Sequence, residues 1–355
     1  MKHQLKNLSV YQAGKTADEL KAALGIEEEM MKLSSNENVY GPSPQVKVAL
    51  KDAMNDPHEY PDSYGKALKT AIAAKYDVKE EAILLGAGLD EVIMMLSRAI
   101  LKHGDEILTS ENTFVQYQHH AIIEGCSIIT APLVNGKFDL TALAGKLTDK
   151  TALVWLCNPN NPTGHYFSSE ELSAFLDQTG DVPVVLDEAY AEYVTAEDYP
   201  DSFALCDTYP NLIILRTFSK AYGLASLRVG YAISSDQWTD MWHRVKLPFN
   251  VTTLSLRAAE AALRDQQYLK SIRDRNAVER RRYFASPISA HLLPSQTNFV
   301  LVKTDEGKAL NDHLLKFGII ARPTPAGIRI TIGTAEQNTT VIKALEDYFA
   351  SKKKG

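Results

Sequence analysis

Short apolar runs alternate with amphipathic stretches through the middle of the chain. The runs fall at 82–85, 106–109, 127–131, 152–157, 182–187, 213–217 and 229–233. Their length and their polar or Gly-rich borders read as strands. Between the first two, Leu89, Val92, Ile93, Leu96 and Ile100 recur at helical spacing. Ser168-Ser169-Glu170-Glu171 has capping-box spacing, and Gly180 follows the helix that it opens. Strands alternating with helices predict a mostly parallel seven-stranded sheet covered on both faces. Ligands of such sheets bind beyond the carboxyl ends of the strands.

The flanks have a different texture. The first 35 residues are polar and mixed, with a helical stretch near 16–24. Residues 33–44, rich in Asn, Gly, Ser and Pro, form a loop, and Pro44 opens a helix over 45–54. His58 to Asp62 is a turn carrying an aromatic, before a helix at 66–76. After 245 a long helical pattern over 255–285 is followed by short strands at 298–302, 319–322 and 328–332 and a last helix at 336–349. The expected division is an N-terminal segment (1–40) joining a smaller α+β domain (251–355, including the long connecting helix), with the large domain at 41–250.

Composition removes several classes. A net charge of −6 over 355 residues gives no support to a nucleic-acid partner. No apolar run is long enough for a membrane span, and the N-terminus has no apolar core of the signal-peptide kind. The Lys-rich end, 351–355, reads as a frayed tail. Cys126, Cys157 and Cys206 are an odd set without CxxC spacing, as expected of reduced thiols in a cytoplasmic protein. Neither a complete GxGxxG nor a Walker A motif is present, and His119-His120 lacks metal-ligand spacing.

The strand ends carry unusual residues. Thr217-Phe218-Ser219-Lys220 ends one apolar run, with Arg228 eight residues on. A lysine there must be neutralised, paired or used covalently. Hydroxyls before it and a guanidinium after it make an anion cradle. Together they fit a lysine holding pyridoxal phosphate (PLP) as a Schiff base. Taken alone, the stretch reads equally well as a surface lysine with its stem along apolar surface. The run 152–157 ends in Asn158-Pro159-Asn160-Asn161-Pro162-Thr163-Gly164, a rigid loop or a tight turn. The run 182–186 ends in Asp187-Glu188-Ala189-Tyr190. A carboxylate ending an apolar strand asks for a cation, which a protonated pyridine nitrogen would supply; an N-cap Asp beside a core Tyr is the plainer reading. Gly86-Ala87-Gly88 runs into a helix N-terminus, a weak phosphate signal by itself. In the small domain Arg322 precedes Pro323, and Arg329 interrupts the apolar strand Ile328-Arg329-Ile330-Thr331-Ile332. Anion capture and a structural ion pair both account for it.

Set side by side, LSSNENVYGPSP (33–44), NPNNPTG (158–164), LDEAY (186–190), TFSKAYGLASLRVGY (217–231) and IRITIGT (328–334) resemble, in family order, the PLP-dependent aminotransferases of fold type I, classes I and II. The similarity is nearest to the branch that acts on histidinol phosphate. It implies that Lys220 holds PLP covalently and shuttles a proton, that Asp187 pairs with the pyridine nitrogen, and that Asn161 and Tyr190 reach the ring oxygen. Ser219, Arg228 and the Gly88–Leu89 backbone would hold the phosphate, with Thr217 nearby. Phe114 would stack on the ring where many relatives have Tyr. Tyr60 would reach the phosphate of a second subunit, which implies a homodimer. Tyr11, Asn36, Asn161, Arg322 and Arg329 would bind substrate. The implied reaction is amino transfer between L-histidinol phosphate and 2-oxoglutarate in histidine biosynthesis. An aromatic amino-acid aminotransferase and a threonine-phosphate decarboxylase remain alternatives, as does a PLP-binding regulator.

Overall fold

The computed structural model describes residues 2–10, 19 and 29–352. Tyr11, the expected 16–24 helix apart from Glu19, and the last three residues of the tail lie outside them. The expected large sheet is present. Its strands are β1 (Ile83–Gly86), β2 (Glu106–Ser110), β3 (Ser127–Ala131), β4 (Thr151–Cys157), β5 (Val184–Asp187), β6 (Leu212–Thr217) and β7 (Gly230–Ser234), in the spatial order β1-β7-β6-β5-β4-β2-β3. Only β7 runs against the others. The central strands are buried along nearly their whole length and mostly apolar, because both faces are covered; Asp187, Arg216 and Thr217 stand at their carboxyl ends.

Register aligns the strand ends that matter. Cys157 pairs with Asp187 and Asp187 with Leu215, while Gly230 stands between Gly86 and Thr217. A Cβ on Gly230 would lie 2.9 Å from the backbone nitrogen of Leu89. This bare position lets the backbone at Gly88 and Leu89 lie close against β7, beside the end of β6.

The helices used below are α1 (Pro44–Ala53), α2 (Leu89–Ile100), α3 (Gln116–Glu124), α4 (Ser169–Leu176), α5 (Thr253–Arg264), α6 (Gln266–Ala285) and α7 (Ala335–Lys352). The capping box at the start of α4 is complete, with Ser168 and Glu171 bonding each other's backbone N–H groups. The single helical pattern over 255–285 is two helices. Asp265 lies between them and caps α6 by accepting from the Tyr268 N–H, while its other oxygen accepts from Ser43 Oγ. The buried residues of α5 (Ala258, Ala259, Ala262 and Leu263) pack with Val46 of α1, Leu68 and Ile72.

A separate core joins Leu33, Tyr283, Val300, Ile328, Ile330, Val341 and Leu345. Its sheet is antiparallel, β8 (Phe299–Val302), β10 (Gly327–Thr331) and β9 (Arg322–Thr324) in that order. The strand expected over 319–322 changes partner midway: Ile319–Ile320 pairs in parallel with Met31–Lys32, and the chain then enters β9. That pairing ties the N-terminal segment to this core. Among the described residues no helix is long and apolar enough to cross a membrane, and no group of acidic, His or Cys side chains could hold a metal.

Candidate active site

The carboxyl ends of β1, β4, β5 and β6 open into a cleft, the place where ligands of such sheets bind. Lys220 lies on the turn after β6. Its Nζ donates to the Ser35 carbonyl at 3.0 Å. Burial, with the positive charge of Arg329 second, pushes its amine down to about 8. Asp187 ends β5 and is 3% exposed. Its Oδ1 accepts from the Ala189 N–H at 3.0 Å and its Oδ2 from the Tyr117 hydroxyl at 2.5 Å. Burial outweighs these bonds and pushes its carboxyl up to about 6.

Tyr190 sits at the start of the turn after β5, edge-on to Phe299 with ring centroids 5.2 Å apart. Its hydroxyl oxygen accepts from Asn36 Nδ2 at 2.9 Å, and burial raises its pKa. Its own proton is thus left to donate into the cleft.

The loop after β4 separates three asparagines that look alike in sequence. Asn158 is fully buried and exchanges two bonds with the Phe167 backbone. Asn160 braces the loop through Asn112, Thr113 and Thr163. Asn161 alone of the three lines the cleft, and its Oδ1 accepts from Arg329 Nη1 at 2.6 Å. The peptide bonds before Pro159 and Pro162 are cis.

The turn after β6 builds a second wall. Thr217 Oγ1 accepts from the Ser219 N–H, so this hydroxyl shapes the turn. Ser219 Oγ accepts from Arg228 Nη1 at 3.2 Å. Arg228 Nη2 reaches Asp90 Oδ2 at 3.2 Å. Across from it α2 begins at Leu89, and no side chain caps its first turn. Gly88 has φ +82°, and a Cβ there would lie 2.2 Å from Arg228 Nη2. A helix N-terminus, a hydroxyl and a guanidinium thus converge where only glycine fits, which is an anion cradle. With a depressed lysine and a buried carboxylate beside it, the cleft fits a phosphorylated pyridine aldehyde.

Arg322 and Arg329 enter from the small sheet as a cross-strand pair. Arg329 Nη2 donates to the Ser34 carbonyl at 2.7 Å. Phe114 also lines the cleft. Tyr60 does not: it is 82% exposed and stacks on Phe249 at 4.7 Å. Tyr11 lies outside the described residues.

Sequence reading passed over several cleft residues. Ser34 and Ser35 contribute backbone carbonyls, for which no residue type is a signal. Cys157 lines the cleft at the end of β4, its thiol raised by burial. Tyr117, three residues after Phe114, bonds Asp187 from behind the cleft, a contact for which the sequence carries no local signal. Behind the site Arg216 pairs with both Glu188 (2.9 Å) and Glu192 (3.1 Å), locking the turn after β5 to β6.

Comparison with known proteins agrees with this geometry. The family model for aminotransferase class I and II matches residues 28–345. A histidinol-phosphate aminotransferase of Staphylococcus aureus (strain MRSA252) is 52% identical over 349 residues, covering 98% of this chain and 99% of that protein. The crystal structure of histidinol-phosphate aminotransferase from Sinorhizobium meliloti, in complex with pyridoxal-5'-phosphate, superposes with a TM-score of 0.90 at 30% identity, covering 99% of this chain and 98% of that one. An L-threonine-O-3-phosphate decarboxylase from Porphyromonas gingivalis shares the fold at 22% identity, with a TM-score of 0.76, covering 90% of this chain and 100% of that one. The chain belongs to the class I and II aminotransferase family.

Proposed function

We propose that this chain catalyses reversible amino transfer between L-histidinol phosphate and 2-oxoglutarate, with PLP as cofactor, in histidine biosynthesis. The observation that carries the reading is the meeting of Lys220, Asp187 and the Arg228 cradle with two arginines of the small domain in one cleft. The first three suit PLP, and the arginine pair suits a substrate that carries a second anion. The 52% identical relative bears this activity in its name.

Bound PLP supplies the electron sink that stabilises a carbanion at the substrate Cα. The chain's own residues do the rest. Asp187 holds a proton on the ring nitrogen through its buried carboxylate. Tyr190 Oη and Asn161 reach the ring oxygen. Ser219, Arg228 and the Gly88–Leu89 backbone fix the phosphate, with Thr217 shaping their turn, and Phe114 covers the ring face. Lys220 Nζ carries the cofactor at rest and takes and returns the Cα proton. Its depressed pKa leaves more neutral amine near neutrality than an ordinary lysine has. Asn36, Arg322 and Arg329 bind substrate, joined by Tyr11. Tyr60 serves the phosphate site of a second subunit in a cytoplasmic homodimer; its exposed stack with Phe249 supports an intersubunit place. The division at 1–40, 41–250 and 251–355 is part of the same proposal, with α5 packed on the large-domain side.

A substrate panel tests the reading. kcat/KM with histidinol phosphate is expected to exceed that with phenylalanine, with glutamate as the accompanying product and no CO₂ release from threonine phosphate. A preference for phenylalanine, or trapped CO₂, overturns it.

A further inference from the structure

We propose that Tyr117 is a positioning residue for this reaction: it fixes the Asp187 carboxylate in its ionised form and ties it to the ring-face contact at Phe114. The inference rests on the reading of the cleft as a PLP site. Tyr117 lies in the first turn of α3 and is fully buried. Its ring stacks on Trp155 with centroids 4.7 Å apart and planes 6° from parallel. It also meets Phe114 edge-on at 5.6 Å. With two aromatic neighbours holding the ring, the hydroxyl has one place to be, 2.5 Å from Asp187 Oδ2.

Asp187 needs such a partner. Beside burial, the strongest influences on its titration are the hydrogen bonds from Tyr117 and the Ala189 N–H and the charges of Asp90 and Glu188; the cations of the same cleft are Lys220, Arg228, Arg322 and Arg329. A buried carboxylate is kept ionised by the hydrogen bonds it accepts, and charged hydrogen bonds are the short, strong ones. Asp187 has two donors, the Ala189 N–H and Tyr117. The backbone donor serves Oδ1. Tyr117 therefore sets the rotation of the carboxylate and supplies the side-chain share of its stabilisation. Its contact with Phe114 links the residue meant for the ring face to the residue meant for the ring nitrogen.

The test follows PLP affinity against pH, by quenching of tryptophan fluorescence, for the wild-type chain and for Tyr117→Phe. Protonation of Asp187 removes the partner of the ring nitrogen, so binding weakens as pH falls. Without the phenol, this acid limb is expected to move up by about one to two pH units, the worth of one hydrogen bond to a charged group. kcat falls while KM changes little. Placing 3-fluorotyrosine at position 117, a stronger donor of nearly the same shape, moves the limb the other way and decides the matter even if Tyr117→Phe folds poorly. An unmoved limb, or shifts of the same sign for the two replacements, leaves Tyr117 a packing residue and overturns the inference. A wild-type chain that binds no PLP at any pH overturns the aminotransferase reading itself.

Discussion

Arg322 and Arg329 stand directly opposite each other on adjacent antiparallel strands, and both reach the cleft. Like charges in registered positions repel. Arg329 is anchored on two sides, by Asn161 of the loop after β4 and by the Ser34 carbonyl. An anion bound in the cleft would offset that repulsion. Arg322→Gln is therefore expected to lower kcat/KM for histidinol phosphate by about 10- to 100-fold, the worth of one charged hydrogen bond. Activity with phenylalanine should change far less. Equal losses for the two substrates would move Arg322 out of phosphate recognition.

Lys220 carries both the covalent link and the proton in the proposed reaction. Lys220→Ala should lose the covalent adduct, seen by mass spectrometry after borohydride reduction. Turnover should fall by at least ~10²–10⁴-fold, the contribution of a positioned acid–base group. An adduct that survives in this variant would transfer the role to another lysine.

The cradle depends on a missing side chain. Gly88→Ala would place a methyl group 2.2 Å from Arg228 Nη2 at a left-handed φ. The guanidinium has to withdraw, and the helix start must distort. Weaker PLP retention on dialysis is expected, together with a loss of about 1–3 kcal/mol in stability from the strained backbone. Arg228→Ala should lose PLP without that loss of stability.

Asp187 makes the cofactor-free protein sensitive to pH. Its carboxyl is raised from 3.8 to about 6 by burial. A raised acid favours the folded state at low pH, and this contribution is lost as pH rises through about 6. Two pKa units correspond to about 3 kcal/mol. At pH 7.5 the apo form of Asp187→Asn should thus melt above apo wild type, and the gap should close as pH falls toward 4. Holo wild type should show the reverse order, since the ring nitrogen repays the carboxylate. Melting curves of the four samples across pH 4–8 check both halves.

Arg216 tests the support behind the site. Arg216→Met leaves Glu188 and Glu192 buried without their cation, a change that costs about 3–5 kcal/mol. The triple variant with Glu188→Gln and Glu192→Gln should recover much of it. Urea unfolding separates this outcome from a mere loss of surface charge.

Much of the seven-stranded sheet could be read along the chain. Apolar runs with polar borders marked the strands of the sheet because a doubly covered strand has to be apolar over most of its length. Register and neighbour choice could not be read that way. The cross-strand pairing of Arg322 with Arg329 depends on where β9 and β10 meet, and the break of one helical pattern at Asp265 depends on Ser43, far away in sequence. The motifs around Lys220, Asp187 and Asn161 pointed to the cofactor, because residue type at a strand end is a local signal. Tyr117, Ser34 and Ser35 were invisible because their roles come from contacts: a phenol trapped between Trp155 and Phe114, and carbonyls that any residue could provide. By itself, the sequence determined the sheet, the lysine and the carboxylate, since hydrophobic period and buried charge are properties of short stretches. Only the tertiary structure decided which asparagine faces the cleft, which glycine lets the cradle close and which tyrosine holds Asp187, since each depends on distances between segments that the chain keeps far apart.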